Sequence, residues 1–168
     1  MADLAAHVAG LAEDVLAGRV EGAGSAAWTA AQVERHRGDS LADLADSLET
    51  NAAAFDAALP HIPAPVNARI VMDSVTHEHD LRAALGVPGE RNSDAVTIGL
   101  NFLLDGRREH QPELVATLTS RAIDPWDLLR ALSGRRTLDQ IAELGLDVDA
   151  VTAGFAGSVL SAPAAPVE

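Results

Sequence analysis

The stretch SLADLADSLETNAAAFDAALPHI, residues 40–62, predicts a long amphipathic helix and with it a helical fold. Ser40 and Asp43 approximate a capping box, in which each side chain accepts a hydrogen bond from the backbone of the other residue. The apolar positions of this stretch recur at helical steps and form one predicted buried stripe: Leu41, Leu44, Leu48, Ala52, Phe55 and Leu59. Pro60 and the prolines that follow end the helix, because proline lacks the N–H that the helix ladder needs.

Working outward from this stretch, apolar periodicity predicts helices on both sides of it. The predicted helices cover residues 3–17, 65–85, 93–104, 124–134 and 137–147. Residues 28–40 follow a glycine-rich connection and offer Thr29 as an N-cap. The stretch LVATLT, residues 114–119, alternates apolar and polar residues and is rich in β-branched side chains, so it predicts a short strand. The Pro/Ala-rich tail, residues 161–168, predicts disorder.

Composition limits the classes of function. The 168 residues are 48% hydrophobic but only 3% aromatic, so the core must consist of Leu, Val, Ile and Ala. A formal net charge of −13, with arginine as the only strongly basic residue, disfavours nucleic acids and anionic membranes as partners. The absence of cysteine excludes disulfides and thiolate ligands. No apolar run is long enough to span a bilayer and the N-terminus lacks the charge of a signal peptide, so we expect a cytoplasmic protein.

A candidate metal site lies in the predicted helix over residues 65–85. Asp73 and His77 are four residues apart, about 40° from one another on one helical face, and Asp80 lies about 20° from Asp73. A carboxylate and an imidazole in this arrangement offer two metal ligands from one side. The alternative is an ordinary Asp–His hydrogen bond on the helix surface, or a charge pair of Asp73 with Arg69 or Arg82. Glu78 and His79 of the same stretch point away from this face.

His7 is the candidate third ligand. It lies at the edge of the apolar stripe of the predicted helix over residues 3–17, so its ring faces neighbouring helices. The alternative is a histidine at the edge of the core that bonds to the backbone, Asp3 or Asp14. The remaining histidines, His36, His61 and His110, are predicted to be solvated or to lie in turns.

Four segments, in order, resemble the mycothiol-dependent maleylpyruvate isomerase family of actinobacteria. They are DLAAHVAGLAEDVLAG from residue 3, WTAAQVERHRG from residue 28, DSVTHEHDLRAALGVPG from residue 73 and LLRALSGRR from residue 128. The resemblance covers residues 3–146, and its most specific piece is the third segment.

The resemblance implies a fold and a domain organisation. It implies a mainly α protein with a DinB-like four-helix bundle over residues 1–110, a small α/β subdomain over residues 111–160 and the tail over residues 161–168. Family members usually have a whole helix before the first histidine. Either the biological start lies upstream of Met1 or the bundle lacks part of its first helix, and a second copy of the chain then covers the exposed apolar surface as a homodimer.

The resemblance also implies a site. The family binds a divalent metal, usually taken as zinc, through positions that fall on His7, Asp73 and His77. Asp80 and Arg82 are then expected to lie outside the coordination sphere and to orient the metal ligands. Arg135 and Arg136, in the C-terminal segment, are candidates for substrate binding.

Two functions follow as alternatives. In the first, the open metal position receives a small-molecule thiol such as mycothiol, or water, and the protein is a thiol-dependent isomerase or transferase acting on a small substrate. In the second, the bundle is a non-catalytic binding module whose metal is structural or lost.

The chain departs from the family pattern at two places. Asp stands at position 73 where the family often has Glu, and the connection over residues 105–114 is short for the family.

Overall fold

The computed structural model describes residues 1–167, which form two compact units, Met1–Asn67 and the chain from Ala68 onward. The protein is mainly helical, with 66% of its residues in helix and no strand among residues 1–167. The mainly α fold class is therefore confirmed. Within the same residues, no helix combines the length and the apolar character that crossing a membrane requires.

The first unit consists of three helices and a short 3-10 turn. These are α1 (Ala2–Leu16), α2 (Ala26–Arg35) and α3 (Leu41–Ala58), and the turn Leu59–His61 follows α3. α1 packs against both α2 and α3. Alanines on α1 pack with Leu44 of α3 to form the core of this unit. Because alanine has a small side chain, the helix backbones approach closely.

The N-termini of α2 and α3 can be compared with the caps that the sequence predicts. The capping box of Ser40 and Asp43 is present as predicted. Ser25 caps α2 by accepting from the backbone N–H of Trp28, so the predicted cap at Thr29 is wrong. Thr29 lies inside the helix instead. The predicted stripe on α3 is only partly buried, since Leu44 is in the core but Leu41 is 49% exposed.

The second unit contains six helices, of which α4 begins two residues before the unit boundary. They are α4 (Val66–Leu85), α5 (Asp94–Arg108), α6 (Pro112–Ser120), α7 (Pro125–Leu132), α8 (Leu138–Glu143) and α9 (Val148–Ala153). The core of this unit is apolar and fully enclosed around Leu129, Leu132 and Ile141. Gly99 of α5 permits a close approach to α4, because a Cβ there would lie 3.2 Å from the Cα of Met72.

The strand predicted for residues 114–119 is wrong, because these residues form α6. Pro112 occupies the first turn, where proline is well tolerated. Val115 and Leu118 are three residues apart on one helical face and both are buried. The hydroxyl of Thr119 donates to the carbonyl of Val115, which satisfies a polar group inside the helix. Helix packing therefore outweighs the β propensity of this stretch.

The C-terminal part of the chain is consequently helical rather than α/β within the described residues. Asp124 caps α7 and Thr137 caps α8, both as predicted. Past α9, residues 161–167 form neither helix nor strand, and Ala162 packs against the core of the second unit. Glu168, the last residue of the predicted disordered tail, lies outside the described residues.

Candidate metal centre

Asp73 and His77 lie on one face of α4, one turn apart. The Nε2 atom of His77 is 3.6 Å from Oδ1 of Asp73, and their side chains are 16% and 32% exposed, respectively. Two ligand atoms bound to one tetrahedral zinc ion, each about 2.0–2.2 Å from it, lie about 3.4 Å apart. The two side chains are thus spaced as a pair of ligands would be.

Asp80 lies on the opposite side of the His77 ring, with its Oδ2 atom 3.3 Å from Nδ1. Burial by itself raises the pKa of Asp80. The hydrogen bond from His77 and the charges of Arg135 and Arg130 outweigh burial and hold the pKa well below its usual range. Asp80 is therefore ionised, and an ionised carboxylate favours the proton of neutral His77 on Nδ1. In that tautomer the lone pair of the ring is on Nε2, which faces Asp73.

Two arginines from the C-terminal segment hold Asp80 in place. Arg130 of α7 is completely buried and donates from Nη1 to Oδ1 of Asp80 at 2.7 Å. The same nitrogen donates to the carbonyl of Thr76 at 3.2 Å. Arg135 donates to Oδ2 of Asp80 from Nη2 at 3.3 Å, and this Nη2 atom lies 3.4 Å from Nδ1 of His77. The carboxylate thus bridges α4 to the end of α7.

Arg82 and Arg136 are also predicted for the site, and each contacts a different carboxylate. Arg82 donates from Nε to Glu78 at 2.8 Å on the more exposed side of α4. Arg82 thus pairs with Glu78, whereas Arg130 and Arg135 donate to Asp80. Arg136 donates from Nη2 to Asp127 at 2.9 Å.

His7 is buried in the first unit and has its own hydrogen-bond relay. Its Nδ1 atom is 2.7 Å from Oε1 of Gln32, and Nε2 of Gln32 donates to Oδ2 of Asp14 at 2.9 Å. Because the amide nitrogen faces Asp14, the amide oxygen faces the imidazole, which must donate from Nδ1. The lone pair of neutral His7 is then on Nε2, as in His77. Asp14, one of the partners considered for His7, acts through Gln32.

Asp14 is kept ionised at the end of this relay. Burial raises its pKa, but the hydrogen bonds from Gln32 and Arg19, together with Arg35, lower it below its usual value. Arg19 and Arg35 both reach Oδ1 of Asp14 at 2.8 Å. The relay therefore ends in a fixed negative charge with two cationic partners.

Two of the remaining histidines differ from expectation. The side chain of His36 is only 9% exposed, because its ring lies between Glu13, 3.2 Å away, and Asp39, 2.9 Å away. His79 does point away from Asp73, but it is buried and not outward, with its ring edge against Trp126. His61 and His110 are exposed as predicted.

Sequence reasoning missed Gln32 and Arg130, although both leave a signal. Arg130 interrupts an apolar run between Leu129 and Ala131, where a charge is costly unless it is paired. Gln32 is the only fully buried residue of α2. A charged or amide side chain inside an apolar helical stripe is thus the pattern that indicates such a relay.

Comparison with known proteins adds no family to this picture. The chain matches no protein-family model, no curated protein and no solved structure. The chemistry of the centre therefore follows from its own side chains.

Proposed function

We propose that this chain binds one divalent metal ion, with zinc as the first candidate, through His7, Asp73 and His77. Each residue offers one ligand atom, a nitrogen from each imidazole and a carboxylate oxygen from Asp73. The observation that carries the proposal is the His77 ring, which Asp80 holds at Nδ1 while Nε2 faces Asp73. A carboxylate that accepts from the far nitrogen of a metal-binding histidine is the usual support of such ligands.

The relay on His7 supports the same assignment. Gln32 fixes the Nδ1 proton of His7 as Asp80 fixes that of His77, so both rings have their lone pair on Nε2. Two imidazoles and one carboxylate are a ligand set found in catalytic zinc sites, in which the fourth position stays open. Since the chain has no cysteine, thiolate ligands do not compete.

The function we propose is that of a thiol-dependent isomerase or transferase built on a DinB-like bundle, in keeping with the resemblance to the mycothiol-dependent maleylpyruvate isomerase family. A bound metal ion supplies a Lewis acid that lowers the pKa of a thiol or water at its open position. Asp80 keeps the His77 proton on Nδ1 and so keeps the ligand nitrogen basic. Arg135, beside His77 and partly exposed, supplies a positive charge for an anionic group of the substrate.

Metal binding is the first test. Purified full-length protein, stripped of metal and titrated with Zn²⁺ or Co²⁺ by calorimetry, is expected to bind one ion. His77→Ala and His7→Ala should each weaken binding strongly, whereas His110→Ala, an exposed histidine, should not. A protein that binds no metal, or that binds it equally well in all three variants, would contradict the proposal.

Thiol chemistry needs a separate readout. In the cobalt-loaded protein, a low-molecular-weight thiol should change the visible spectrum as sulfur enters the coordination sphere. If the spectrum is unchanged at saturating thiol, the protein binds metal but the metal does not bind the thiol. That outcome would favour a non-catalytic binding module.

A further inference from the structure

A second feature of the second unit is a cavity of about 200 Å³ at the end of α4. It is lined by His79 and Arg82 of α4, by Gly86 and Gly89 of the turn that follows, and by Arg91. Carboxylate side chains are not among its lining residues. Apart from His79, its ionisable lining residues are thus two arginines, in a chain with a net charge of −13.

Arg91 is held in place by an aromatic side chain. Its guanidinium carbon lies 4.0 Å from the centre of the ring of Trp126, a distance typical of a cation–π contact. Trp126 is buried and is itself packed against the edge of His79. The guanidinium of Arg91 is therefore held in a defined position, although Arg91 is exposed to solvent.

Arg91 also differs from the other arginines of this region in its partners. Glu78 pairs with Arg82, and Asp127 pairs with Arg136, which lies on the same indole ring at 4.7 Å. Arg91 forms no ion pair with any carboxylate of residues 1–167. Its planar guanidinium is thus available to a ligand from solution.

From this arrangement we infer that the cavity binds the oxyanion group of a small molecule, a carboxylate or a phosphate. Guanidinium groups recognise both with paired N–H donors. Nη1 of Arg82 lies 3.7 Å from the position that a Cβ of Gly89 would take, so the glycine leaves room beside this second guanidinium. Ligand pockets commonly measure about 300–1,000 Å³, so this smaller cavity suits one compact anionic group.

The oxyanion site is distinct from the proposed metal centre. His79 is two residues after His77, about 200° around α4, so the two histidines serve opposite faces of one helix. Arg91 and Gly89 belong to the connection between α4 and α5, whereas the arginines that support His77 belong to the C-terminal segment. The inference therefore stands whether or not the chain binds metal.

Titration of the full chain with inorganic phosphate and with acetate tests this inference. The indole of Trp126 is a natural reporter, and Trp28→Phe removes the only other tryptophan from the emission signal. We expect saturable binding that weakens with added salt. The probe that binds with the higher affinity identifies the class of ligand: phosphate indicates a phosphate ester and acetate indicates a carboxylate.

Four variants make the test specific. Arg91→Gln should weaken binding about tenfold or more, the effect of losing a charge-assisted hydrogen bond. Gly89→Leu, which keeps every charge but fills the cavity, should abolish binding. Arg108→Gln, the same substitution at an exposed arginine on α5, should leave it unchanged. His77→Ala removes a proposed metal ligand and should also leave it unchanged.

Three outcomes would overturn the inference, and the third concerns His77→Ala. One is the absence of a saturable response to either probe in the millimolar range. Another is equal weakening by Arg91→Gln and Arg108→Gln, which would show that the probes respond only to overall charge. Loss of binding in His77→Ala alone would assign the anion to the metal ion and not to the cavity.

Discussion

At the residue scale, the two histidines of the proposed centre depend on carboxylates that are not among the proposed metal ligands. Asp80 fixes His77 directly, and Asp14 fixes His7 through Gln32. Both carboxylates have lowered pKa values, because arginines and hydrogen bonds outweigh the effect of burial. The charges of these carboxylates therefore decide the tautomer of each ring.

Replacing Asp80 by Asn should weaken metal binding by about 10- to 100-fold, the usual effect of losing a ligand's supporting partner. It should also lower the free energy of unfolding by about 3–5 kcal/mol, because Arg130 is completely buried and loses the carboxylate charge that its Nη1 contacts at 2.7 Å. Calorimetry and urea unfolding measure the two effects. Asp105→Asn, at the exposed partner of Arg108, is the control. Unchanged metal affinity in Asp80→Asn would remove Asp80 from the centre.

The relay on His7 predicts a pH dependence of stability. The folded-state pKa of Asp14 lies below the unfolded value of 3.8, so its stabilising contribution is complete above that value. As the pH falls through 3.8 toward the folded pKa, the unfolded state takes up the proton first and stability is lost. Urea unfolding at pH 7 and pH 3 should show a smaller difference in Asp14→Asn than in the wild type. The exposed control Asp46→Asn should keep the wild-type difference.

At the element scale, close helix contacts position the site. Gly10 of α1 lies against α2, where an added Cβ would come within 2.6 Å of the Cβ of Gln32. Gln32 is the residue that orients His7. The contact of α1 with α2 and the orientation of a proposed ligand thus depend on the same small residue.

Gly10→Ala should therefore cost about 1–3 kcal/mol of stability, in the range for overpacking a tight contact. It should also weaken metal binding by displacing Gln32. Gly106→Ala is a matched control, because Gly106 lies in α5 with open space around its Cα. That substitution should be neutral or stabilise the protein by up to about 1 kcal/mol. Similar thermal unfolding of the two variants would argue against the close contact.

A substitution in residues 112–120 can distinguish the helix that they form from the strand that their sequence pattern predicts. Thr117 is exposed on α6, and alanine has the higher helix propensity, so Thr117→Ala should stabilise the protein by a few tenths of a kcal/mol. In a strand the same change would destabilise it. Leu118→Ala should cost about 2–5 kcal/mol, because it leaves a cavity in the core. Equilibrium unfolding measures both variants, and the sign of the Thr117→Ala effect decides between the two structures.

At the scale of the whole molecule, the chain carries a net charge of −13, so its acidic groups repel one another. A divalent cation bound to the folded state offsets part of this repulsion and adds its own binding free energy. We expect zinc to raise Tm, by an amount equivalent to about 2.7 kcal/mol when the free metal is 100 times Kd. A chelator should reverse the shift. His77→Ala should show no shift, and an equal shift in that variant would point to nonspecific binding.

The amino-acid sequence by itself determined six of the helices, α1, α3, α4, α5, α7 and α8, and the placement of Asp73 and His77 on one face of α4. Both follow from local spacing, since residues four apart always share a helical face. It also determined the caps at Ser40, Asp124 and Thr137, which involve only neighbouring residues.

Tertiary structure alone decided which groups support the ligands. Gln32 reaches His7 across 25 residues, and Arg130 reaches Asp80 across 50. It also decided that residues 114–119 are helical, because the burial of Val115 and Leu118 outweighs an alternating pattern that locally favours a strand. Contacts between distant segments depend on how helices pack, and the spacing of residues along the chain does not specify that packing.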